Sequence, residues 1–185
     1  MNRDSERIYD EFLAAAAVAG DRQALSRLVS RWQPRFLRHA WRVLGDGERA
    51  RDIVQEAWVE ILRGLPRLDD VAAFPAWAFR IVTRRCWRDF GRPMHESLNE
   101  DGDPPEGFAS TPEHASGEFK ADLSVVLEAI NRLPAPQRAS LALFYLEGLS
   151  VAEIAIATDV PPGTVKTRLM HARNKVRAIL EGHPS

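Results

Sequence analysis

The stretch GLSVAEIAIATDVPPGTVKTRLMHAR, residues 148–173, decides the fold of the C-terminal part of this 185-residue chain. Ser150 and Glu153 have the spacing of a capping box, in which each side chain accepts a hydrogen bond from the other residue's amide. A short helix is therefore predicted to follow Ser150. Residues 159–161 predict a tight turn, and Pro162 suits the first position of a second helix. Two helices joined in this way form a helix-turn-helix.

The second helix of this motif is predicted to have two different faces. Val165, Leu169, Ala172 and Val176 recur at helical spacing and should pack inward. The opposite face carries Thr164, Thr167, Arg168, His171 and Lys175. Residues 164–180 contain no acid, so a helix laid in the major groove would meet DNA phosphates without repulsion. A solvated basic helix is the alternative, but the capped first helix and the tight turn favour DNA binding.

Charge is distributed unevenly along the chain, although its net charge is only -1. Counted from the sequence, residues 1–19 carry -2, residues 20–92 carry +6, residues 93–122 carry -7 and residues 123–185 carry +2. Two basic blocks are therefore separated by an acidic one, and separate nucleic-acid surfaces are plausible.

The acidic block also looks like a linker, because residues 93–117 are rich in Pro and Gly and lack hydrophobic periodicity. The sequence thus predicts an N-terminal extension over 1–20 that could form a short helix on the first module. It predicts a helical domain over 21–92, a flexible acidic linker over 93–122 and a second helical domain over 123–182. The fold class is all-α, with two small domains and no convincing strand.

Three helices are predicted in the first domain. An apolar stripe from Leu25 to Phe36 predicts the first helix, which Pro34 should break or kink. The second ends at Pro66 and has a predicted buried stripe of Val54, Ala57, Trp58, Ile61, Leu62 and Leu65. The third is predicted to begin at Pro75 and to end near Phe90.

Composition excludes several classes of protein. An apolar fraction of 45% and a charged fraction of 28% are typical of a soluble globular chain. The apolar run 12–19 is too short to span a bilayer and lacks the flanks of a signal peptide, so a cytoplasmic protein without membrane insertion is expected. One cysteine, Cys86, allows no intrachain disulfide and no multi-cysteine zinc site. The sequence contains neither a Gly-rich phosphate loop nor a histidine–cysteine pair in a catalytic motif. Enzyme activity, a cofactor and a metal are therefore not expected.

Several motifs together resemble the extracytoplasmic-function (ECF) sigma factors, a group of the sigma-70 family of bacterial RNA polymerase. The matching stretches are DIVQEAW at 52–58, FxAWxxRI at 74–81, LSxxEIA at 149–155, GTVKTRL at 163–169 and AR at 172–173. The resemblance implies that the two domains are sigma regions 2 and 4. It implies a non-enzymatic factor that binds core polymerase, recognises the minus-ten and minus-thirty-five promoter elements and promotes DNA melting.

The helix from Asp52 is implied by the resemblance to dock on the clamp coiled coil of the polymerase's largest subunit. The candidate docking residues are Asp52, Gln55, Glu56, Val59 and Arg63. Four of them share one face that offers mixed charge around an apolar spot, which suits a partner helix. An ordinary solvated face is the alternative. A carboxylate metal site on Asp52, Glu56 and Glu60 would lack the Glu-x-x-His pair of di-iron bundles.

The third helix is implied to recognise the minus-ten element, partly by trapping a flipped base in a pocket made by the connection 67–74. The candidate residues are Asp69, Phe74, Trp77, Arg80, Arg84, Arg85 and Arg88. Arginines grip phosphates and stack on bases, whereas Trp77 and Phe79 could equally be core residues. Arg84 and Arg88 stand where the family often has Asn and Asp, so a different promoter preference is open.

The candidate residues for the minus-thirty-five element are Gly163, Thr164, Lys166, Thr167, Arg168, His171 and Arg173. Thr167 replaces the usual serine and keeps a hydroxyl that can reach phosphate. The acidic linker is either an electrostatic mimic of RNA or a flexible tether, two compatible interpretations. The resemblance also implies an anti-sigma partner that covers the same surfaces.

Two other functions compete with this one. A stand-alone regulator would use the helix-turn-helix without polymerase and would bind its promoter alone. A purely protein-binding adaptor would tolerate charge reversal at Lys166 and Arg168. A sigma factor instead requires core polymerase for specific initiation.

Overall fold

The structure is a computed structural model, which describes residues 3–90, 126 and 129–181. The predicted linker lies outside the described residues. Next to the linker, Arg92 and all of residues 123–128 except 126 also lie outside the described residues.

Seven α-helices account for most of the described chain. They are α1 (Arg3–Val18), α2 (Arg22–Leu44), α3 (Gly47–Gly64), α4 (Phe74–Phe90), α5 (Ala135–Tyr145), α6 (Val151–Thr158) and α7 (Pro162–Glu181), with 3-10 turns at Leu65–Arg67 and Val71–Ala73. No strand occurs between residues 3 and 90 or between 129 and 181, so the all-α prediction is confirmed. The expected N-terminal helix is α1, which packs on α2. None of the described helices is long and apolar enough to cross a bilayer.

A break or a kink was predicted at Pro34, and the break does not occur, because helix α2 runs through this residue. Proline removes one backbone hydrogen bond. The buried stripe nevertheless continues on both sides of it, from Leu28 and Trp32 to Phe36 and Ala40, and this packing offsets the loss. The helix ends at Gly45, whose φ of 75° suits glycine and whose amide donates to the carbonyl of Trp41.

Aromatic rings fill the core of the N-terminal module, residues 3–90. Trp32 meets Phe74 edge to face with ring centroids 5.1 Å apart. Phe36 lies 5.3 Å from Phe79 and 5.2 Å from Trp58. Such offset and perpendicular contacts hold α2, α3 and α4 together.

The C-terminal module, residues 129–181, packs directly on the N-terminal module. Helix α6 lies along α4, and α5 lies on α2. Buried side chains from both modules form one continuous apolar cluster, which includes Phe79 and Ile81 on one side and Leu149, Ile154 and Ala157 on the other. In this structure the two modules therefore share a core.

Candidate nucleic-acid and polymerase interfaces

The helix-turn-helix has the local geometry that its sequence predicts. The Ser150 amide donates to Glu153 Oε2 at 2.7 Å, and the Glu153 amide donates to Ser150 Oγ at 3.2 Å, which confirms the capping box. Burial by itself would raise the pKa of Glu153, but the bonds from Ser150 and the charge of Arg7 hold that pKa below its usual range. Helix α6 ends at Asp159, whose φ of 55° is left-handed and whose amide donates to the carbonyls of Ala155 and Ile156.

Helix α7 has the two faces that were predicted. Val165, Leu169 and Ala172 are buried. On the other side Gly163, Thr164, Lys166, Thr167 and His171 are exposed, and Arg168 is half-buried. That burial lowers the pKa of Arg168 from its ordinary value. Side chains able to bind phosphates and base edges are thus presented along one exposed face.

Two of the predicted α7 residues make contacts within the protein. Arg173 Nε donates to the hydroxyl of Tyr145 at 2.9 Å, and its guanidinium lies 5.6 Å from the centroid of the Phe144 ring. Arg173 is therefore bound to the end of α5, away from the other candidates. The Thr167 hydroxyl donates to the Gly163 carbonyl at 3.1 Å and keeps an acceptor role free.

All five candidate docking residues on α3 are exposed: Asp52, Gln55, Glu56, Val59 and Arg63. The side of α3 beside them is more apolar than expected, because Leu62 is 42% exposed and lies three residues from Val59, which is 46% exposed. The prediction that Leu62 is buried was wrong. Its spacing from Val59 is the signal that could have shown this.

Acidic side chains on α3 pair with arginines of α4. Arg85 donates to Glu56 at 2.5 Å and to Glu60 at 2.9 Å, and Arg84 also pairs with Glu60. The Arg85 side chain is only 18% exposed. No group of three or more metal-binding side chains occurs in the part of the chain that the structure describes. Of the three carboxylates considered for a metal, Glu56 and Glu60 are partners of Arg84 and Arg85, whereas Asp52 is exposed.

The remaining α4 arginines face the C-terminal module. Arg80 pairs with Asp159 at 2.9 Å, and Arg88 is exposed. A cavity of about 390 Å³ separates α4 from the end of α6, and its lining includes Arg80, Arg84 and Arg88. Three of the predicted promoter contacts thus converge on one cleft.

The aromatic candidates of α4 differ in position. Phe74 is 1% exposed in the aromatic core, so its assignment to DNA is corrected here: it supports the start of the helix. Trp77 is half-buried and lies against Gly64, where an added Cβ would come within 2.7 Å of the Trp77 ring. The glycine is thus what allows α3 and α4 to approach so closely.

The connection before α4, where a base pocket was predicted, contains two short turns. Asp69 is exposed between them. The neighbouring Asp70 accepts a hydrogen bond from the Ala72 amide at 2.9 Å and so caps the second turn. Asp69 therefore keeps its carboxylate available, whereas Asp70 has a local structural bond.

Known proteins share both modules. The family model described as Sigma-70 region 2 matches residues 28–92, and that described as Sigma-70, region 4 matches residues 123–176. The chain is 31% identical to the RNA polymerase sigma-H factor of Pseudomonas aeruginosa, over 93% of this chain and 94% of the relative. It is also 31% identical to the ECF RNA polymerase sigma-E factor of Escherichia coli K12, over 95% and 98% of the two chains.

A solved structure has the same fold. The sigma factor RpoE of Bartonella quintana, crystallised with the anti-sigma factor NepR, is 23% identical and matches with a TM-score of 0.65 over 85% of this chain and 96% of that one. Its sequence identity is too low for more than a comparison of folds. The two region matches and the full-length relatives show that this chain belongs to the ECF group of sigma-70 factors, which give RNA polymerase its promoter recognition in transcription initiation.

Proposed function

We propose that this sigma factor divides its work among three helices: α3 docks on core polymerase, α4 binds and melts the minus-ten element, and α7 reads the minus-thirty-five element. The observation that carries the proposal is the exposed face of α7, where Thr164, Lys166 and Arg168 project from a helix-turn-helix whose other face is buried. The chain itself would act in the cytoplasm and would perform no chemistry, which belongs to the polymerase.

The docking surface is assigned to the exposed face of α3. Val59 and Leu62 form an apolar centre, and Asp52, Glu56 and Arg63 surround it with charge. A partner helix with matching side chains would bury the apolar centre and pair with the rim. The clamp coiled coil of the largest polymerase subunit is the partner that the family resemblance implies.

The minus-ten surface is assigned to Arg80, Arg84 and Arg88 of α4, together with Asp69 and Trp77. Guanidinium groups bind phosphates, and aromatic rings can stack on unpaired bases. Arg85 is excluded from direct contact because both of its arms are engaged by Glu56 and Glu60. It acts instead as a positioning residue for α4.

The minus-thirty-five surface is assigned to Gly163, Thr164, Lys166, Thr167, Arg168 and His171. The exposed Gly163 is the second residue of α7, and no atom lies within 4 Å of the place that a Cβ would occupy there, so a phosphate could approach the backbone at the start of the helix. Arg173 braces α7 against Tyr145 from the other side. Substitution of Arg173 would therefore act through the placement of the helix.

An anti-sigma factor is proposed as a further partner, since a relative of the same fold was crystallised with one. The domain limits of 21–92 and 123–182, with the linker between them, are proposed on the matched ranges 28–92 and 123–176. The extension 1–20 supplies α1, which packs on α2 and belongs structurally to the first module.

Run-off transcription with purified core polymerase tests the proposal. A library of randomised promoters is transcribed with and without the chain, and we expect a defined promoter class to be transcribed only when both are present. Lys166→Glu should lower transcription from that class by roughly 5- to 150-fold, because a promoter contact of about 1–3 kcal/mol is lost. Arg177→Glu changes the same charge farther along α7 and is the matched control.

Two results would contradict the proposal. The proposal is wrong if adding the chain to core polymerase gives no promoter-specific initiation, or if the two charge reversals have equal effects. Specific duplex binding by the chain alone would favour a stand-alone regulator.

A further inference from the structure

Glu60 of α3 holds two consecutive arginines of α4 with one carboxylate. Its Oε1 accepts a hydrogen bond from Arg84 Nη2, and its Oε2 accepts from Arg85 Nε at 3.1 Å and from Arg85 Nη2 at 2.9 Å. Each oxygen is therefore engaged by a different arginine. Hydrogen bonds between charged partners are about twice as strong as those between neutral groups. The carboxylate thus fixes the direction in which both guanidinium groups point.

The two arginines differ in what they can bind beyond this contact. The Arg85 side chain is 18% exposed and also pairs with Glu56. The Arg84 side chain is 51% exposed, and Glu60 is its only hydrogen-bonding partner among the described residues. Arg85 therefore belongs to the contact between α3 and α4, whereas Arg84 is held at one end and presented to solvent.

One edge of the Arg84 guanidinium remains complete for a ligand. A guanidinium has two edges that can each donate a pair of parallel hydrogen bonds, one formed by Nε and Nη2 and the other by Nη1 and Nη2. Nη2 contributes one hydrogen to each edge. Because Glu60 is bound through Nη2 alone, the edge whose hydrogen it does not take can still donate both of its bonds.

The backbone of α4 is also fixed close to Arg84. Trp77 packs against Gly64 of α3, where an added Cβ would lie 2.7 Å from the Trp77 ring. Trp77 and Arg84 are two helical turns apart and so lie on the same side of α4, and Glu60 lies one turn before Gly64 on α3. The contact of Trp77 therefore places the backbone of α4, and the contact of Glu60 places the Arg84 side chain.

Arg88 provides a contrast on the same side of α4. It lies four residues after Arg84, is exposed and makes no ion pair with any residue of the described ranges. An arginine that is not held in place suits a phosphate, which every nucleotide carries and which conveys no sequence information. An arginine that is already oriented loses less entropy on binding and can distinguish one base edge from another.

We propose that Glu60 is a positioning residue for promoter recognition, and that the edge of Arg84 it leaves free reads a guanine of the minus-ten element. Guanine offers two acceptors, O6 and N7, that match such an edge. The Asn that the family often has at position 84 would form its paired bonds with adenine instead. The inference rests on the proposed assignment of α4 to the minus-ten element.

Transcription by core polymerase with the full chain tests the proposal. A promoter library carries every base at each minus-ten position, and a barcode in each transcript identifies its promoter. With the wild-type chain we expect guanine to be preferred at one position by roughly tenfold or more, the discrimination of a bidentate contact. Arg84→Lys keeps the charge but lacks the paired donors, so it should abolish this preference and leave those at other positions intact.

Glu60→Gln tests the positioning role itself. Glutamine has nearly the same size but a single acceptor oxygen, so it cannot hold both arginines. The guanine preference should fall at least about fivefold. Transcription from promoters with other bases at that position should be unchanged or higher, because a negative charge near the DNA is removed. The matched control is Glu48→Gln, which removes the same charge from an exposed residue of α3 and should keep the wild-type preference.

A merely structural role of Glu60 predicts a different result. Loosening of the contact between α3 and α4 would lower transcription from all promoters by the same factor, with a lower midpoint of thermal unfolding and unchanged base preferences. That outcome overturns the proposal. It is also overturned if the guanine preference survives Arg84→Lys, or if the wild-type chain shows no guanine preference in the minus-ten element.

Failure of this inference can be told apart from failure of the proposed function. Absence of any core-dependent initiation refutes both. Initiation that depends on core polymerase, but whose base preferences respond to neither Arg84 nor Glu60, refutes only the reading of guanine.

Discussion

His39 is a buried imidazole that cannot accept a proton without loss of stability. It is fully buried between α2 and α4, and its Nε2 shares a 2.8 Å hydrogen bond with the Thr83 hydroxyl. Within the described chain its Nδ1 has no hydrogen-bond partner. Burial first, and the charge of Arg42 second, lower its pKa to about 3. The folded protein therefore holds His39 neutral at physiological pH.

The stability of the chain should accordingly fall on mild acidification. A histidine in the unfolded chain has a pKa near 6.5, whereas His39 in the folded chain has a pKa of about 3. Between these two pH values the unfolded state therefore binds a proton at His39 that the folded state does not bind. The contribution of neutral His39 to the free energy of unfolding is complete above pH 6.5. Below that pH it is lost at up to about 1.4 kcal/mol per pH unit. Between pH 7 and pH 5 we expect a loss of about 2 kcal/mol in the unfolding free energy from urea titrations. His39→Gln should make the unfolding free energy depend less on pH. If the variant loses as much stability between pH 7 and pH 5 as the wild type, His39 is not the cause of the loss.

At the scale of the element, α3 has a buried face and an exposed face of different character. Its inner face supplies Val54, Ala57 and Ile61 to the core. Its outer face exposes Val59 and Leu62 within a charged rim. Because Val59 is outside the core, its substitution should affect association and leave folding intact.

Val59→Asp should therefore weaken binding to core polymerase at least tenfold, about 1.4 kcal/mol, by placing a charge where an apolar contact forms. Fluorescence anisotropy of the labelled chain against core enzyme measures the change, and thermal unfolding should show an unchanged midpoint. The control is Ile8→Asp on α1, which alters a side chain that is 66% exposed on another surface. Equal losses for the two variants would refute docking through α3.

The whole molecule should unfold as one cooperative unit, since one apolar cluster runs through both modules. Ile154→Ala removes a fully buried side chain of α6 and should cost about 2–4 kcal/mol. Hydrogen exchange should accelerate in α4 as well as in α6. Ile156→Ala is the control, because Ile156 lies on the same helix but is 49% exposed. This variant should change neither the unfolding free energy nor the rate of hydrogen exchange. Faster exchange confined to the C-terminal module would show that the modules are energetically separate.

The sequence predicted those features that depend on neighbours along the chain. The capping box at Ser150, the turn at Asp159 and the inward stripe of α7 are local patterns, and all three are present. Of the two outcomes predicted at Pro34, the break does not occur, because tertiary packing outweighs a local preference. The ion pair of Arg80 with Asp159 joins residues 79 apart. No periodicity encodes such a pair, so the covering of α4 by α6 became visible only in three dimensions.

The close contact of Trp77 with Gly64 fixes the position of α4 relative to α3. Together with the Arg85 bridge to Glu56 and Glu60, it makes α3 and α4 a single rigid piece. If core polymerase docks on α3 as proposed, α4 is held at a fixed distance from the docking site. The position at which the promoter strands part, and hence the first nucleotide copied, would then be set by the distance between these two helices.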